Sequence, residues 1–264
     1  MTIAAEAPQQ GRNATAERAI DVLLLFDEEH PVLTAGEIAR RLDMPRSTTY
    51  RYLQTLRSYN LIEEDARGGF RLGTRIFQLG RIARQGLGYV EVARSYMEEL
   101  ATLTGEVVLL TRRSGSQVVC VERVEGDPRH PIRLSYERGH VLPLHAGASA
   151  KVLLAFSDRA DIDAVLNTSE VLPRYTDRTV TDRPALERQL ARIRSDGYAI
   201  SAGEVDEGVR GIAAPIFQAD GRLAAGLSLV GPQFRLKEAA LKSAITAVRQ
   251  SASAISARLR EIDW

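Results

Sequence analysis

The sequence predicts an α/β protein of the α+β kind, in which a helical part comes first and an antiparallel sheet flanked by helices follows. Apolar residues recur at helical spacing through most of the first 103 residues, whereas residues 107–110, 118–121 and 132–136 have the length and composition of strands. At 264 residues, the chain is also long enough for two domains, each with its own core.

The chain begins with a polar segment, residues 1–13, that we expect to be disordered. An amphipathic helix over residues 15–26 follows. Its apolar positions Ile20, Val22, Leu23 and Leu24 are predicted to supply the core of the first domain.

Residues 34–61 predict two short helices separated by a tight break. Thr34 and Glu37 have the spacing of a capping box, in which each side chain satisfies a backbone N–H at a helix start. The segment 43–45 ends the first helix, because the residue before Pro45 is pushed out of the helical region. This pattern is typical of a helix-turn-helix.

The second of these helices has an inward face made by Thr49, Leu53 and Leu56. Its opposite face is rich in arginine, hydroxyl and amide groups, which suit contacts with DNA bases and phosphates. We predict that the following residues contact DNA: Arg46, Ser47, Thr48, Tyr50, Arg51, Gln54 and Arg57.

A hairpin follows this helix directly. Residues 61–64 and 70–72 are predicted strands on either side of a glycine-containing turn. Together these elements predict a winged helix-turn-helix, whose wing places Arg67 over the DNA backbone or in the minor groove. A helical hairpin inside an ordinary core would share the helix pattern, so this motif alone leaves both interpretations open.

The distribution of charge favours DNA binding. The formal net charge of +1 is uninformative, but residues 40–57 contain five arginines against the single acid Asp43, and residues 66–90 contain five arginines and no acid. Such segregation is expected of a surface that faces phosphates.

We predict a winged helix-turn-helix domain over residues 14–73, a linker helix over 74–88 and a larger domain over 89–264. In this prediction Thr74 caps a helix that continues to residue 84, and glycines at 86 and 88 interrupt the chain. The larger domain is predicted to contain helices at 89–103, 160–166, 184–195 and 236–262. A further helix is predicted to follow from the small residues at 146–150 and to end near residue 156. Strands are predicted at 107–110, 118–121, 132–136, 198–201, 211–217 and 222–230, the last two joined by an Asp-Gly turn.

The stretch of small residues at 146–150 runs into one of these helices. Small side chains at a helix start let a ligand reach exposed backbone N–H groups, where the helix dipole favours an anion such as a carboxylate. Close packing of the helix on a sheet requires small residues equally, so spacing alone leaves both interpretations open. Ser228, in a second small-rich segment, is a candidate hydroxyl donor to the same cavity.

Several other classes of site are disfavoured. Cys120 is the only cysteine, which excludes an intrachain disulfide and a cysteine zinc site and fits a reducing compartment. The four histidines lack metal-ligand spacing, His145 is interpreted as a structural hydrogen-bonding residue, and neither a phosphate loop nor a nucleophile motif occurs. We therefore expect no enzyme activity, cofactor or metal. With no transmembrane run and no signal peptide, we also expect a cytoplasmic protein that does not bind membranes.

Taken together, these segments resemble the isocitrate lyase regulator (IclR) family of bacterial transcription factors. The resemblance extends from about residue 16 to residue 262, through the segments MPRSTTYRYLQTL, FRLG, LPLHAGASAKVLLAF, GVRGIAAPIF and GRLAAGLSLVGP in this order. It implies a GAF-like C-terminal effector domain, a homodimer or dimer of dimers, a palindromic double-stranded operator and a small organic acid effector.

By position, the resemblance implies that the effector carboxylate meets the backbone amides of Ala148 and Ser149. It also implies that Leu134 forms an apolar wall and that Ser228 offers its hydroxyl. Three further positions of the effector site depart from the pattern. Gly211 stands where some members have cysteine, Val230 where a second serine occurs, and Ser201 where an acid occurs.

These departures favour an effector that is larger or more apolar than a short keto acid, such as an aromatic acid of a catabolic pathway. The sequence leaves open whether the protein is a repressor or an activator. Two other interpretations compete with an effector-controlled regulator. A small-molecule enzyme carrying a helix-turn-helix would require a catalytic constellation, and an architectural DNA binder would bind without sequence preference.

Overall fold

The computed structural model describes residues 14–66, 68–115, 117–129, 136–167 and 172–262. The chain divides into two compact units, with the division between Gly86 and Leu87. The assignment of residues 74–88 as a linker between two domains stays a prediction. Within the described ranges, no helix is long and apolar enough to cross a membrane.

The first unit has the predicted winged helix-turn-helix order. Its elements are α1 (Ala14–Leu24), α2 (Ala35–Arg41), α3 (Arg46–Ser58), β1 (Ile62–Glu64), β2 (Phe70–Leu72) and α4 (Thr74–Gln85). The capping box of α2 is confirmed, because Glu37 N–H donates to Thr34 Oγ1 at 3.2 Å and Thr34 N–H donates to Glu37 Oε2 at 2.8 Å. Asp43, at φ +49°, makes the left-handed step between α2 and α3.

The wing is a two-stranded antiparallel hairpin, in which Ile62 faces Leu72 and Glu64 faces Phe70. Leu33 pairs with Phe70 and joins the segment before α2 to β2, next to the turn of the wing. The return from wing to α4 requires glycine, since a Cβ at Gly73 would lie 2.3 Å from the carbonyl oxygen of Asn60. Thr74 was predicted to cap α4, but it is the first helical residue, and Gly73 is the N-cap without a side-chain hydrogen bond.

The core of the first unit differs from the prediction in α1. Val22 is fully buried, and Leu23 packs partly against the core. Ile20 and Leu24, predicted to be core residues, are 54% and 56% exposed. Ile20 and Leu24 lie four residues apart on one face of α1. The core formed with α2 and α3 covers a different face of α1, which carries Val22. The buried core comprises Val22, Leu33, Ala35, Ile38, Tyr52, Leu53, Leu56 and Ile62.

The second unit contains an antiparallel sheet with the strand order β5-β4-β3-β8-β7-β6 in its described residues. Its elements are α5 (Tyr89–Thr104), β3 (Val107–Ser114), β4 (Gln117–Val124), β5 (Val141–Leu142), α6 (Ala148–Ala155), α7 (Arg159–Asn167), α8 (Arg183–Asp196), β6 (Ala199–Ala202), β7 (Val209–Phe217), β8 (Leu223–Pro232) and α9 (Glu238–Glu261). The predicted strand at 132–136 lies almost wholly outside the described residues, and Tyr136, which is described, is not in a strand.

Helices cover both faces of this sheet. Alternation along β3 sends Val107 and Leu109 toward α6, α7 and α8, and sends Val108 and Leu110 toward α5 and α9. Helix α9 buries an apolar stripe that includes Val248, Ile255 and Leu259, whereas Ile262, just past the helix end, is 41% exposed. The sheet therefore holds α6 against β6, β7 and β8, where the candidate effector site lies.

Candidate functional site

The outer surface of α3 carries the predicted DNA-contacting residues. Thr49, Leu53 and Leu56 are buried, as predicted, and fix the rotation of the helix. Thr48 is partly buried. The exposed members of the predicted set are Arg46, Ser47, Tyr50, Arg51, Gln54 and Arg57. Three arginines and no acid lie within α3, so its outer surface carries a local positive charge.

Two arginines of α3 make contacts within the unit. Arg57 forms an ion pair with Glu64 of β1, which ties the end of α3 to the wing. The Arg51 guanidinium lies 5.9 Å from the ring centroid of Tyr52, a cation–π contact that leaves its N–H donors available. Arg67, predicted at the wing tip, lies outside the described residues.

The second unit contains a cleft of about 390 Å³, including the space at its open mouth, at the start of α6. Helix α6, strands β6–β8, the β6–β7 loop and Tyr136 surround it. Its lining residues are Tyr136, Leu142, Ala146, Gly147, Ala148, Ser149, Ser201, Glu204, Val205, Asp206, Val209, Gly211 and Val230.

The first residues of α6 and their N-cap line this cleft. Gly147 is the N-cap and has φ +85°, a conformation that favours glycine, and its N–H donates to Glu204 Oε2 at 3.1 Å. Ala148 and Ser149 are the first two helical residues, whose N–H groups have no carbonyl partner within a helix. The arrangement can therefore donate hydrogen bonds to an anion, with the helix dipole in its favour.

The three positions that depart from the family pattern meet in this cleft. Strand register places Ser201 opposite Gly211 and Gly211 opposite Val230, so the three form one row across β6, β7 and β8. A Cβ at Gly211 would lie 3.0 Å from Ser201 Oγ and 3.3 Å from the Ala148 Cβ. The absence of a side chain at Gly211 therefore lets Ser201 and the start of α6 pack closely against β7.

Two other predicted effector residues have different positions. Ser228 is fully buried under α6, outside the cleft lining, and its Oγ lies 2.7 Å from Ser149 Oγ. Ser228 lies two residues before Val230 on β8, on the same face of the sheet. Its hydroxyl is in the interface between the sheet and α6. It can act on a ligand only through Ser149. Leu134 lies outside the described residues.

Three polar residues of the cleft, Tyr136, Glu204 and Asp206, were not predicted from the sequence. Glu204 accepts from Gly147 and is paired with Lys151 Nζ at 2.5 Å, and Lys151 is only 2% exposed. The Tyr136 hydroxyl donates to the Asp206 carboxylate, and burial together with the Asp206 charge raises the pKa of Tyr136. The acidic loop at 203–208 resembles a solvent-exposed turn in sequence, which gave no sign that its carboxylates face a cleft.

The surroundings of Cys120 and His145 favour a structural role for both side chains. Cys120 is fully buried, and burial raises the pKa of its thiol to about 12, so the thiolate is scarce at neutral pH. The ring of His145 is within hydrogen-bonding distance of the Pro173 carbonyl oxygen, at 2.8 Å from Nε2, and burial lowers its pKa. Within the described part of the chain, no group of three His, Cys, Asp or Glu side chains could hold a metal ion.

A helix-turn-helix unit followed by a unit with an antiparallel sheet, flanking helices and a cleft at a helix start is the architecture of a bacterial transcriptional regulator. Family comparison agrees. Residues 15–66 match the IclR helix-turn-helix domain, and residues 83–257 match the bacterial transcriptional regulator IclR C-terminal domain. The chain belongs to the IclR family.

Individual relatives are similar over nearly their whole length. The transcriptional regulator BhcR of Paracoccus denitrificans is 36% identical, over 95% of this chain and 88% of its own. The transcriptional regulator KdgR of Escherichia coli is 32% identical, over 94% of this chain and 93% of its own. An IclR homologue from Microbacterium hydrocarbonoxydans, solved in complex with 4-hydroxybenzoate, has a TM-score of 0.81 and 29% identity, covering 94% of this chain and all of that one.

Proposed function

We propose that this protein is a sequence-specific regulator whose operator affinity is controlled by a small organic acid bound at the start of α6. The observation that carries this proposal is the cleft lined by Ala148 and Ser149, the first two residues of α6, whose N–H groups have no carbonyl partner within the helix. These N–H groups and the positive end of the helix dipole together favour a carboxylate.

The carboxylate nearest the start of α6, Glu204, is neutralised by its own contacts. Glu204 also lines the cleft, and alone it would repel a carboxylate. Its two oxygens are bound to Gly147 N–H and to Lys151 Nζ, and the Lys151 charge balances its own. A ligand carboxylate at Ala148 and Ser149 is therefore not opposed by an uncompensated charge at Glu204.

The lining supports a ligand more apolar than a short keto acid. Val205, Val209 and Val230 supply apolar surface to the cleft. The Microbacterium hydrocarbonoxydans homologue was solved with 4-hydroxybenzoate, an aromatic acid. We therefore propose an aromatic or comparably apolar acid as effector, and a catabolic operon for such an acid as target.

On the DNA side we propose a homodimer, alone or as a dimer of dimers, bound to a palindromic operator. Each α3 enters a major groove, and the two half-sites lie about one DNA turn apart or at multiples of it. The linker helix over residues 74–88 transmits the state of the effector domain to the spacing of the two α3 helices. The effector acts by population shift, because it binds one arrangement of the dimer better than the other.

Substitution of Ala148 tests the effector site. Ala148→Trp fills the start of α6 and is expected to abolish binding of aromatic acids, measured by calorimetry, while operator binding in gel shifts is unchanged. Ala148→Pro is milder, since proline is tolerated at a first helical position but removes the N–H, and is expected to weaken acid binding about tenfold.

Ala240→Trp, at an exposed position in the first turn of α9, is the matched control and is expected to bind acid and DNA normally. Unchanged acid affinity in both Ala148 variants would refute the proposed site. Tight, exclusive binding of glyoxylate or pyruvate would refute the proposed ligand class.

A further inference from the structure

The cleft contains one carboxylate whose hydrogen bonding is incomplete. Asp206 lies in the loop between β6 and β7 and lines the cleft with Tyr136. The Tyr136 hydroxyl donates to this carboxylate. Asp206 Oδ2 is nevertheless buried and has no hydrogen-bond partner among the described residues.

This oxygen differs from those of Glu204, the other carboxylate of the cleft. Both Glu204 oxygens are bound, and the Lys151 ammonium balances the charge. In the described part of the chain, no ion pair involves Asp206, so its negative charge is uncompensated within the cleft. Leaving a buried acceptor unsatisfied is costly, typically more so when it is charged.

A simple acid would not satisfy this arrangement. Its carboxylate at Ala148 and Ser149 would leave the buried Asp206 Oδ2 unbound, because a wholly apolar remainder has no donor for that oxygen. A ligand with a hydroxyl or amine away from its carboxylate would supply the missing donor. A hydrogen bond to a charged group is about twice as strong as one between neutral groups.

We propose that the effector is a bifunctional acid, with a carboxylate for the start of α6 and a hydrogen-bond donor, a hydroxyl or an amine, for Asp206 Oδ2. This inference rests on the proposed effector site and narrows its ligand class to hydroxy- or amino-substituted organic acids. Tyr136 acts as a positioning residue, because its hydroxyl holds the Asp206 carboxylate in place.

The test compares ligands that differ only in the donor, by calorimetry on the unmodified protein. The aromatic set is 4-hydroxybenzoate, 4-aminobenzoate and 4-methylbenzoate, and the aliphatic pair is 4-hydroxybutanoate and pentanoate. At least one donor-bearing acid is expected to bind about tenfold more tightly than its methyl counterpart. An acid that binds the unmodified protein but not the Ala148→Trp variant is assigned to the cleft.

Asp206→Ala is expected to reduce that preference to less than twofold. The matched control Glu207→Ala removes the neighbouring exposed carboxylate, outside the cleft lining, and should retain the preference. Methyl-bearing acids that bind the cleft as tightly as their donor-bearing counterparts would overturn this inference and leave the carboxylate site standing. Failure of every acid to bind would overturn the proposed carboxylate site and this inference with it.

Discussion

At the scale of single residues, the Lys151–Glu204 ion pair is an unusual feature of the effector unit. Lys151 projects from α6 into the protein and also donates to Gln189 Oε1 at 3.1 Å. The backbone oxygen of Glu204 accepts from Thr179 Oγ1 at 2.7 Å, which holds the loop that carries it. The pair therefore joins α6, α8 and the β6–β7 loop behind the cleft.

We predict that Lys151→Met destabilises the protein by about 3–5 kcal/mol, because it leaves the Glu204 charge buried without its partner. The double variant Lys151→Met/Glu204→Gln should recover at least half of this loss, since no uncompensated charge remains. Urea unfolding followed by circular dichroism measures both, and the transition of the second unit is the one to compare.

Lys242→Met is the matched control, because Lys242 is exposed on α9, and we expect a change within about 0.5 kcal/mol. Equal stability of the Lys151 and Lys242 variants would show that the buried pair contributes nothing beyond packing. Lys151→Met should also weaken acid binding, because the Glu204 charge then repels the ligand carboxylate.

At the scale of elements, α3 combines a buried face with an exposed basic face. The buried face fixes its rotation, and the Arg57–Glu64 ion pair fixes the wing beside it. Exposed ion pairs contribute little to stability, so we interpret this pair as a means of orienting the wing. Arg51 has no acidic partner among the ion pairs of the described residues and lies centrally on the exposed face.

Arg51→Ala is therefore expected to weaken operator binding by about 1–3 kcal/mol, between fivefold and 150-fold, in gel shifts at fixed salt. The control is Arg192→Ala, which removes an arginine that is 84% exposed on α8. A loss confined to operator DNA indicates a base contact. A uniform loss on all sequences with a smaller salt dependence indicates a phosphate contact, and an unchanged affinity removes Arg51 from the interface.

Most elements could be predicted from local sequence, because their signals are local. The capping box at Thr34 and Glu37 marks a helix start, and the Asp-Gly turn before Arg222 marks a hairpin. Predictions made from hydrophobicity alone were less reliable. Ile20 and Leu24 have the apolar character of core residues, and the sequence does not record which stripe of α1 the neighbouring helices cover.

The cleft that we propose as the effector site was predictable only in part, for a similar reason. Its helix start followed from the small residues at 146–150, and the row of Ser201, Gly211 and Val230 followed from position in a resembling family. The polar groups from the β6–β7 loop did not, because a charged loop between strands normally faces water. Only the folded chain brings Asp206 beside Tyr136, 70 positions earlier in the chain.

At the scale of the whole molecule, the first unit exposes more apolar surface than a monomer requires. Helix α4 buries none of its residues, although Phe77, Leu79 and Ile82 are 83%, 45% and 57% exposed. Ile20 and Leu24 add a second exposed apolar stripe on α1. Exposed apolar patches of this kind mark association surfaces, and the proposed homodimer gives them a partner in a second copy of the chain.

The proposed dimer predicts that a charge on α4 weakens both association and operator binding. Ile82→Asp should shift the protein toward monomer in sedimentation at micromolar concentration, because a buried carboxylate at the interface would be unpaired. Operator affinity should fall with it, since one α3 per monomer reaches only one half-site. Gln78→Asp, at an exposed polar position of the same helix, adds the same single charge and is the control. If Ile82→Asp leaves the dimer intact and the Gln78 variant behaves identically, α4 lies outside the interface. Coupling between the effector and α3 would then have to run through another segment.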